Sequence, residues 1–161
     1  MQHIVRYPDP ILSTKCNPVE LPELQDGTVH KLLDEMLEVM KAEKGIGLAA
    51  NQVGVIKRIF IMLDSKGKVW EFINPEISEP EGNIAINEGC LSAPGAFVQV
   101  NRAQAVVVKA LDRNGLPFTV VCEDVEAVCA QHEIDHLDGI FFLDKTSRNQ
   151  RRAALRSLGL K

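Results

Sequence analysis

The stretch QHEIDHLDG, residues 131–139, constrains this chain most: it sets two of only four histidines four residues apart, with a glutamate directly after the first. On an α-helix successive residues advance about 100°, so His132 and His136 lie about 40° apart on one face and can grip one ion. Glu133 then stands beside the site without being forced to ligate. This is the H-E-x-x-H geometry of metal hydrolases, in which the carboxylate moves protons to and from a water on the metal. The plainer alternative is a helix with two unrelated histidines, and a third ligand has to be found elsewhere to displace it.

A catalytic divalent ion usually takes three protein ligands and keeps one position for water. Downstream of His136 there is no third histidine, only Asp138 and Asp144, which weakens a metalloprotease reading. Upstream, EGCLSAPG at 88–95 sets Cys90 behind a glycine and before a Pro-Gly turn, in a loop able to present a thiolate. The segment GIGLAANQ at 45–52 offers two glycines for close backbone approach and ends in the amide of Gln52. Each also reads as ordinary structure: Cys90 as a small buried hydrophobe, GIGLAANQ as a helix stop followed by a tight turn.

The 161 residues, 45% hydrophobic and 25% charged, fit a single domain with a proper core. Cys16, Cys90, Cys122 and Cys129 are too few and too irregular for a disulfide framework, so reduced thiols are expected. No apolar run reaches the length of a membrane span and the first residues lack the pattern of a signal peptide; a cytoplasmic location follows, with no membrane partner. A net charge of −4 argues against general nucleic-acid binding, and no DNA partner is expected. The end differs, with five basic residues and no acidic one from Arg148 to Lys161.

Val29, Leu32, Leu33, Met36, Leu37 and Met40 recur at helical spacing and predict a helix over 29–43, capped by Thr28 or Asp26 and stopped before Gly45. Strands are expected at 56–63, at 68–73 after the turn DSKG, and at 97–100, 103–111 and 117–123. The last two flank DRNGL, whose Asn114-Gly115 predicts a type I′ hairpin turn. The H-E-x-x-H helix follows at about 125–137, with Gly139 as its stop, and a short basic helix runs from about Arg148 to Leu158. Strands flanked by helices without βαβ alternation indicate an α+β fold. The division is a catalytic domain over 1–147 and a tail over 148–161.

In order and spacing, GIGLAANQ (45–52), EGCLS (88–92) and QHEIDH (131–136) resemble the three motifs of the bacterial-type peptide deformylases, metal enzymes that remove the formyl group from new N-terminal methionines. The likeness extends through RYPDPIL (6–12), ALDRNGLPF (110–118) and HLDGIFFLDKTS (136–147), and so covers nearly all of the chain. It implies mixed and antiparallel sheets packed around a central metal-binding helix. It also implies that Cys90, His132 and His136 bind one divalent ion with water in the open position, and that Glu133 acts as general base and then general acid. Gln52 and the backbone N–H of Leu91 would bind the developing oxyanion. The physiological metal implied is Fe²⁺, and residue types alone admit Zn²⁺, Ni²⁺ or Co²⁺.

On a helical wheel Val125, Val128, Cys129, His132, Glu133 and His136 fall within about 140°. A substrate methionine is expected against Val125, Val128, Cys129, Ile46 and Ile86, with Gly45, Gly47 and Gly89 completing the binding wall; core packing is the alternative role for Val125. The peptide should lie extended along Ile46 and Gly47, as a strand added to a sheet edge. The implied partners are N-formylmethionyl nascent peptides, with a weak ribosome contact through the basic tail, which is shorter than in many members. Glu88 and Arg102 are expected to pair and brace the Cys90 loop, with a solvated surface pair as the alternative for Arg102. Asp135 is expected on the outer face of the helix or as a hydrogen-bond partner of a ligand imidazole. Ala93 stands where a larger aliphatic residue is usual. Two other readings are a metal-dependent protease or amidase on another acyl group, and a structural zinc module with Cys129 as fourth ligand.

Overall fold

Period-two patterning puts the second strand of the main sheet between two cores. In this computed structural model, which describes residues 3–161, Ile59 and Ile61 pack with the helix of residues 28–42, while Phe60 and Met62 point to the other face. The elements in chain order are α1 (Leu21–Gln25), α2 (Thr28–Ala42), β1 (Gly47–Ala49), β2 (Ile59–Leu63), β3 (Val69–Glu81), β4 (Ile84–Glu88), β5 (Val98–Arg102), β6 (Ala105–Leu111), β7 (Pro117–Glu123), α3 (Asp124–Leu137) and α4 (Arg148–Ser157). A five-stranded antiparallel sheet runs β1-β2-β3-β6-β7, and β4 and β5 form a separate hairpin. This is the expected α+β architecture.

One face of the sheet is covered by α2, through Leu33, Met36 and Met40 against Ile59, Ile61 and Ile73. The other carries α3, whose Ala127, Ala130, Ile134 and Leu137 meet Phe60, Phe72, Val106 and Val108. Beyond α3, Val98 and Val100 of β5 pack with Phe141, Phe142 and Ala154 of α4 in a third cluster. Nine residues of α3 are buried, so it is a central helix. Among the described residues no helix is long and apolar enough to cross a membrane.

Several local expectations are corrected. The N-cap of α2 is Gly27 at φ 85°, while the Asp26 carboxylate accepts from the Thr28 N–H; its stop is Lys44 at φ 55°, with Gly45 donating to the Met40 carbonyl. The DRNGL turn is not type I′. Gly115 has positive φ but Asn114 does not, and the Gly115 N–H bonds to the Asp112 carbonyl, giving a type I turn closed by a glycine bulge. The DSKG turn repeats this arrangement, with Gly67 donating to the Asp64 carbonyl. Strand β3 runs eight residues past the expected end at Ile73: Asn74 takes φ 51°, its side chain exchanges hydrogen bonds with the backbone of Val19, and a register shift absorbs Pro75. The short α1, β1 and β4 carry too little periodicity to stand out from sequence.

Candidate active site

Helix α3 turns His132 and His136 toward the loop after β4, with ring centroids 5.0 Å apart. That loop delivers Cys90, whose Sγ lies 3.3 Å from Nε2 of His136. The ligand atoms of Cys90, His132 and His136 all lie within 4.8 Å of one another, the one such cluster of three among the described residues. One thiolate and two imidazoles suit a first-row transition ion rather than Mg²⁺ or Ca²⁺, and three ligands leave a position open. The donor set therefore fits a catalytic metal.

His132 is fixed from behind. Its Nδ1 lies 2.8 Å from Oε1 of Glu88, which leaves Nε2 for the cluster. Glu88 is held in turn by Arg102, through Nε to Oε2 at 2.6 Å and Nη2 to Oε1 at 3.0 Å. Arg102, the third inward position of β5, has a side chain only 2% exposed, so the expected ion pair is a buried one. Its Nη1 continues to Asp135, 2.7 Å away, which also meets Nζ of Lys145 at 3.1 Å. Asp135 thus reaches the ligand imidazole only through Arg102 and Glu88. Burial raises the pKa of Glu88, but hydrogen bonds from His132 and Arg102 outweigh it and hold the carboxyl below its ordinary value.

Burial pushes the Glu133 carboxyl up to about 7, against the pull of the His132 and Arg102 charges. Its Oε2 is buried without a hydrogen-bond partner, as is Nδ1 of His136. The imidazoles are driven apart. Burial, with the charges of His132 and Arg102, pushes His136 well below its ordinary value. For His132 burial works the same way, but hydrogen bonds to Cys90 and Glu88 prevail and raise it to about 10. Cys129, the alternative fourth ligand, lies outside the cluster: burial and the Glu133 charge keep its thiol protonated, and Sγ stands 3.8 Å from the Ile46 carbonyl.

Gln52 presents a fixed amide. Its Oε1 accepts from the Ala49 N–H at 2.9 Å, so Nε2 points to Ser92 Oγ at 3.1 Å and Cys90 Sγ at 3.4 Å. Asn51 beside it donates to the His136 carbonyl at 2.7 Å, tying this segment to α3.

These groups edge a cavity of about 530 Å³. Gly45, Ile46, Gly47, Gln52, Ile86, Gly89, Cys90, Leu91, Val125, Val128, Cys129, His132 and Glu133 all line it, whereas His136, 1% exposed, lies behind the wall. Val125 and Ile46, 55% and 50% exposed, form its lip, which removes the core-packing alternative for Val125. Strand β1, the outermost of its sheet, runs along one side. Arg6, Glu43 and Phe97 also line the cavity and were not legible in sequence. They reach it from the N-terminal segment, the end of α2 and the loop after β4, and nothing in their local spacing marks them.

Comparison with known proteins places this geometry. The family model described as polypeptide deformylase matches residues 1–152. Peptide deformylase 2 of Xanthomonas campestris is 43% identical over 157 residues, 96% of this chain and 92% of the relative, and a peptide deformylase of Xylella fastidiosa is 44% identical over the same shares. Among solved structures, a peptide deformylase from Legionella pneumophila superposes with a TM-score of 0.90 at 40% identity, covering 99% of this chain and 94% of that one. One from Synechococcus elongatus in complex with actinonin gives 0.92 at 32% identity, covering 99% and 89%.

Proposed function

Because the chain belongs to the polypeptide deformylase family, which hydrolyses the formyl amide of N-formylmethionine peptides, we propose that Cys90, His132 and His136 hold one divalent ion at which Glu133, Gln52 and Leu91 act. The observation that carries this reading is the convergence of the three ligand atoms within 4.8 Å at the wall of the cavity, with Glu133 beside them. Bound there, the ion supplies Lewis acidity, polarising the formyl carbonyl and lowering the pKa of water.

The remaining steps belong to the chain. The Glu133 carboxylate, which lines the cavity, takes the proton of the attacking water and returns it to the departing amine nitrogen. Nε2 of Gln52 and the backbone N–H of Leu91 donate to the oxygen on which negative charge develops. Glu88 keeps the His132 ring turned, so that Nε2 would be the nitrogen offered to the ion. The methionine side chain packs against Ile46, Ile86, Val125, Val128 and Cys129, and the peptide lies extended beside β1, where Gly45, Gly47 and Gly89 leave room for its backbone.

Fe²⁺ is the proposed physiological ion, with Zn²⁺, Ni²⁺ and Co²⁺ accommodated by the same donors; an Fe²⁺–thiolate pair is open to oxidation. Four free thiols fit a reducing, cytoplasmic setting. Catalysis is assigned to residues 1–147. The basic α4 is proposed to add a weak ribosome contact, read by co-sedimentation that falls as salt rises and falls further on charge reversal at Arg151 and Arg152. Metal analysis of anaerobically purified protein tests the ligand set. Cys90→Ser should lose the ion and the activity together while Cys129→Ser keeps the ion, and the reverse pattern would mean the wrong thiol is named.

A further inference from the structure

The segment before the first turn bonds to both stretches that carry the oxyanion donors. The Val5 N–H donates to the Gln52 carbonyl at 2.7 Å and the Tyr7 N–H to the Ser92 carbonyl at 2.9 Å. Tyr7 is itself anchored, its ring stacked on Phe141 with centroids 4.5 Å apart. Arg6 stands between these two ties and lines the cavity. Its guanidinium donates to the Leu91 carbonyl and comes within 3.8 Å of Glu43 at the end of α2.

The loop that holds Leu91 belongs to no strand, so no ladder fixes its peptide planes. It is tied internally by the Ala93 N–H to the Cys90 carbonyl and by the Ala96 N–H to the Ala93 carbonyl. Neither bond engages the carbonyl of Leu91, and that task falls to Arg6. A charged donor on a carbonyl is stronger than a neutral one, while the long, solvent-exposed contact to Glu43 is worth little. Holding this carbonyl fixes the peptide plane between Leu91 and Ser92; the Leu91 N–H lies in the preceding plane, whose Cys90 carbonyl is held by the Ala93 N–H, so the two bonds together fix the backbone on both sides of the Leu91 Cα.

We propose that Arg6 is a positioning residue: gripping the Leu91 carbonyl from a segment bonded to Gln52, it holds the Leu91 N–H and the Gln52 amide in one register as a paired oxyanion site. The inference rests on the roles given to Gln52 and Leu91 above. It differs from a substrate-binding role, which an arginine at a cavity rim would otherwise suggest, because its effect belongs to the transition state and therefore to kcat.

The test is steady-state formate release from formyl-Met-Ala by the wild type, Arg6→Gln and Arg6→Lys, with metal content and melting temperature recorded for each. For Arg6→Gln, kcat should fall about 10-fold, less than the roughly 10²–10³-fold for removing a donor outright, with KM within about two-fold and metal content unchanged. Arg6→Lys keeps a charged donor without the planar fork, so its kcat should fall only about two- to three-fold. Three results would overturn the proposal: unchanged kcat in Arg6→Gln, a raised KM with kcat intact, or losses that track melting temperature equally in the Gln and Lys variants. Should Arg6→Gln fail to fold, Arg6→Lys decides, since a fall of about two- to three-fold in kcat at constant KM supports the positioning role and wild-type kcat removes it. Absence of formate release by the wild type would instead defeat the functional reading, and this inference with it.

Discussion

Replacing Gly47 with alanine probes how closely β1 and α3 approach across the cavity. A Cβ built at Gly47 stands 2.6 Å from Cys129 Sγ, 2.7 Å from Glu133 Oε1 and 3.1 Å from Glu133 Cγ. Comfortable contact is about 3.5 Å, so both contacts must open by about 1 Å. The Glu133 carboxylate borders the cavity and yields into it, whereas Cys129 is buried within α3 with core on its far side, so its contact is relieved only by a small parting of β1 and α3. Gly47 does not have the positive φ that strains a side chain, so the effect is one of space alone. A proton-handling group displaced by about 1 Å costs on the order of 10²-fold in turnover. Overpacking should also remove about 1–3 kcal/mol of stability. Formate release at saturating formyl-Met-Ala reads the first effect, urea unfolding the second, and metal analysis shows that the ligands are undisturbed. Gly89→Ala is the contrast: its Cβ meets the edge of the exposed Phe97 ring at 2.7 Å, and that ring can swing into solvent, so kcat should stay within about three-fold and the loss of room for the peptide should appear in KM. Adding Cys129→Ala to Gly47→Ala should rescue little, because the Glu133 contact remains. Near-wild-type turnover in Gly47→Ala, or a loss accompanied by loss of metal, would refute the reasoning.

Other expectations follow from the same geometry. Glu133→Gln keeps size but removes the proton carrier, so kcat should fall by ~10²–10⁴ with the ion retained, as formate release and metal analysis would report. Arg102→Leu leaves the carboxylates of Glu88 and Asp135 without their buried partner and should cost about 3–5 kcal/mol in urea unfolding. Truncation after Ser147 removes Leu155 and Leu158 from the third cluster and the bond from the Gln99 N–H to Gln150 Oε1. That should cost about 2 kcal/mol, or roughly 4–8 °C in melting temperature, while free formyl-peptide turnover persists below the transition. Ion uptake by chelator-stripped protein should release protons, since thiolate and imidazole ligands bind deprotonated, and titration calorimetry in buffers of differing ionisation enthalpy measures the number released.

What could be read from sequence was set by local spacing. His132, Glu133 and His136 share a helix face because their separations match its period, and the helix runs from Asp124 to Leu137, one residue longer than expected. Cys90 and Gln52 stand out within their own segments as a thiol and an amide, but their place beside the helix and their roles come from the family resemblance, because no local rule ties a loop at 88–92 or a turn at 45–52 to a helix at 131–136. The hairpins at 64–67 and 112–116 were legible as turns but not as types: the aspartate that starts each accepts backbone N–H bonds and favours a type I turn, leaving only the glycine left-handed. Arg6, Glu43 and Phe97 were missed because they reach the cavity by long-range packing. The relay from His132 through Glu88 and Arg102 to Asp135 and Lys145 was only half anticipated, as the Glu88–Arg102 pair. Its second half depends on which side of β5 faces α3, which pairing with β4 decides.

The most direct test of the central claim is formate release by anaerobically purified, Fe²⁺-loaded protein given formyl-Met-Ala and acetyl-Met-Ala side by side. A Cys90–His132–His136 centre built for a formyl group, with Glu133 as proton carrier, predicts steady formate release from the first peptide, none of the corresponding acetate from the second, and loss of activity on chelation that the ion restores. Equal turnover of both peptides, or formate release that survives complete removal of the metal, would contradict it.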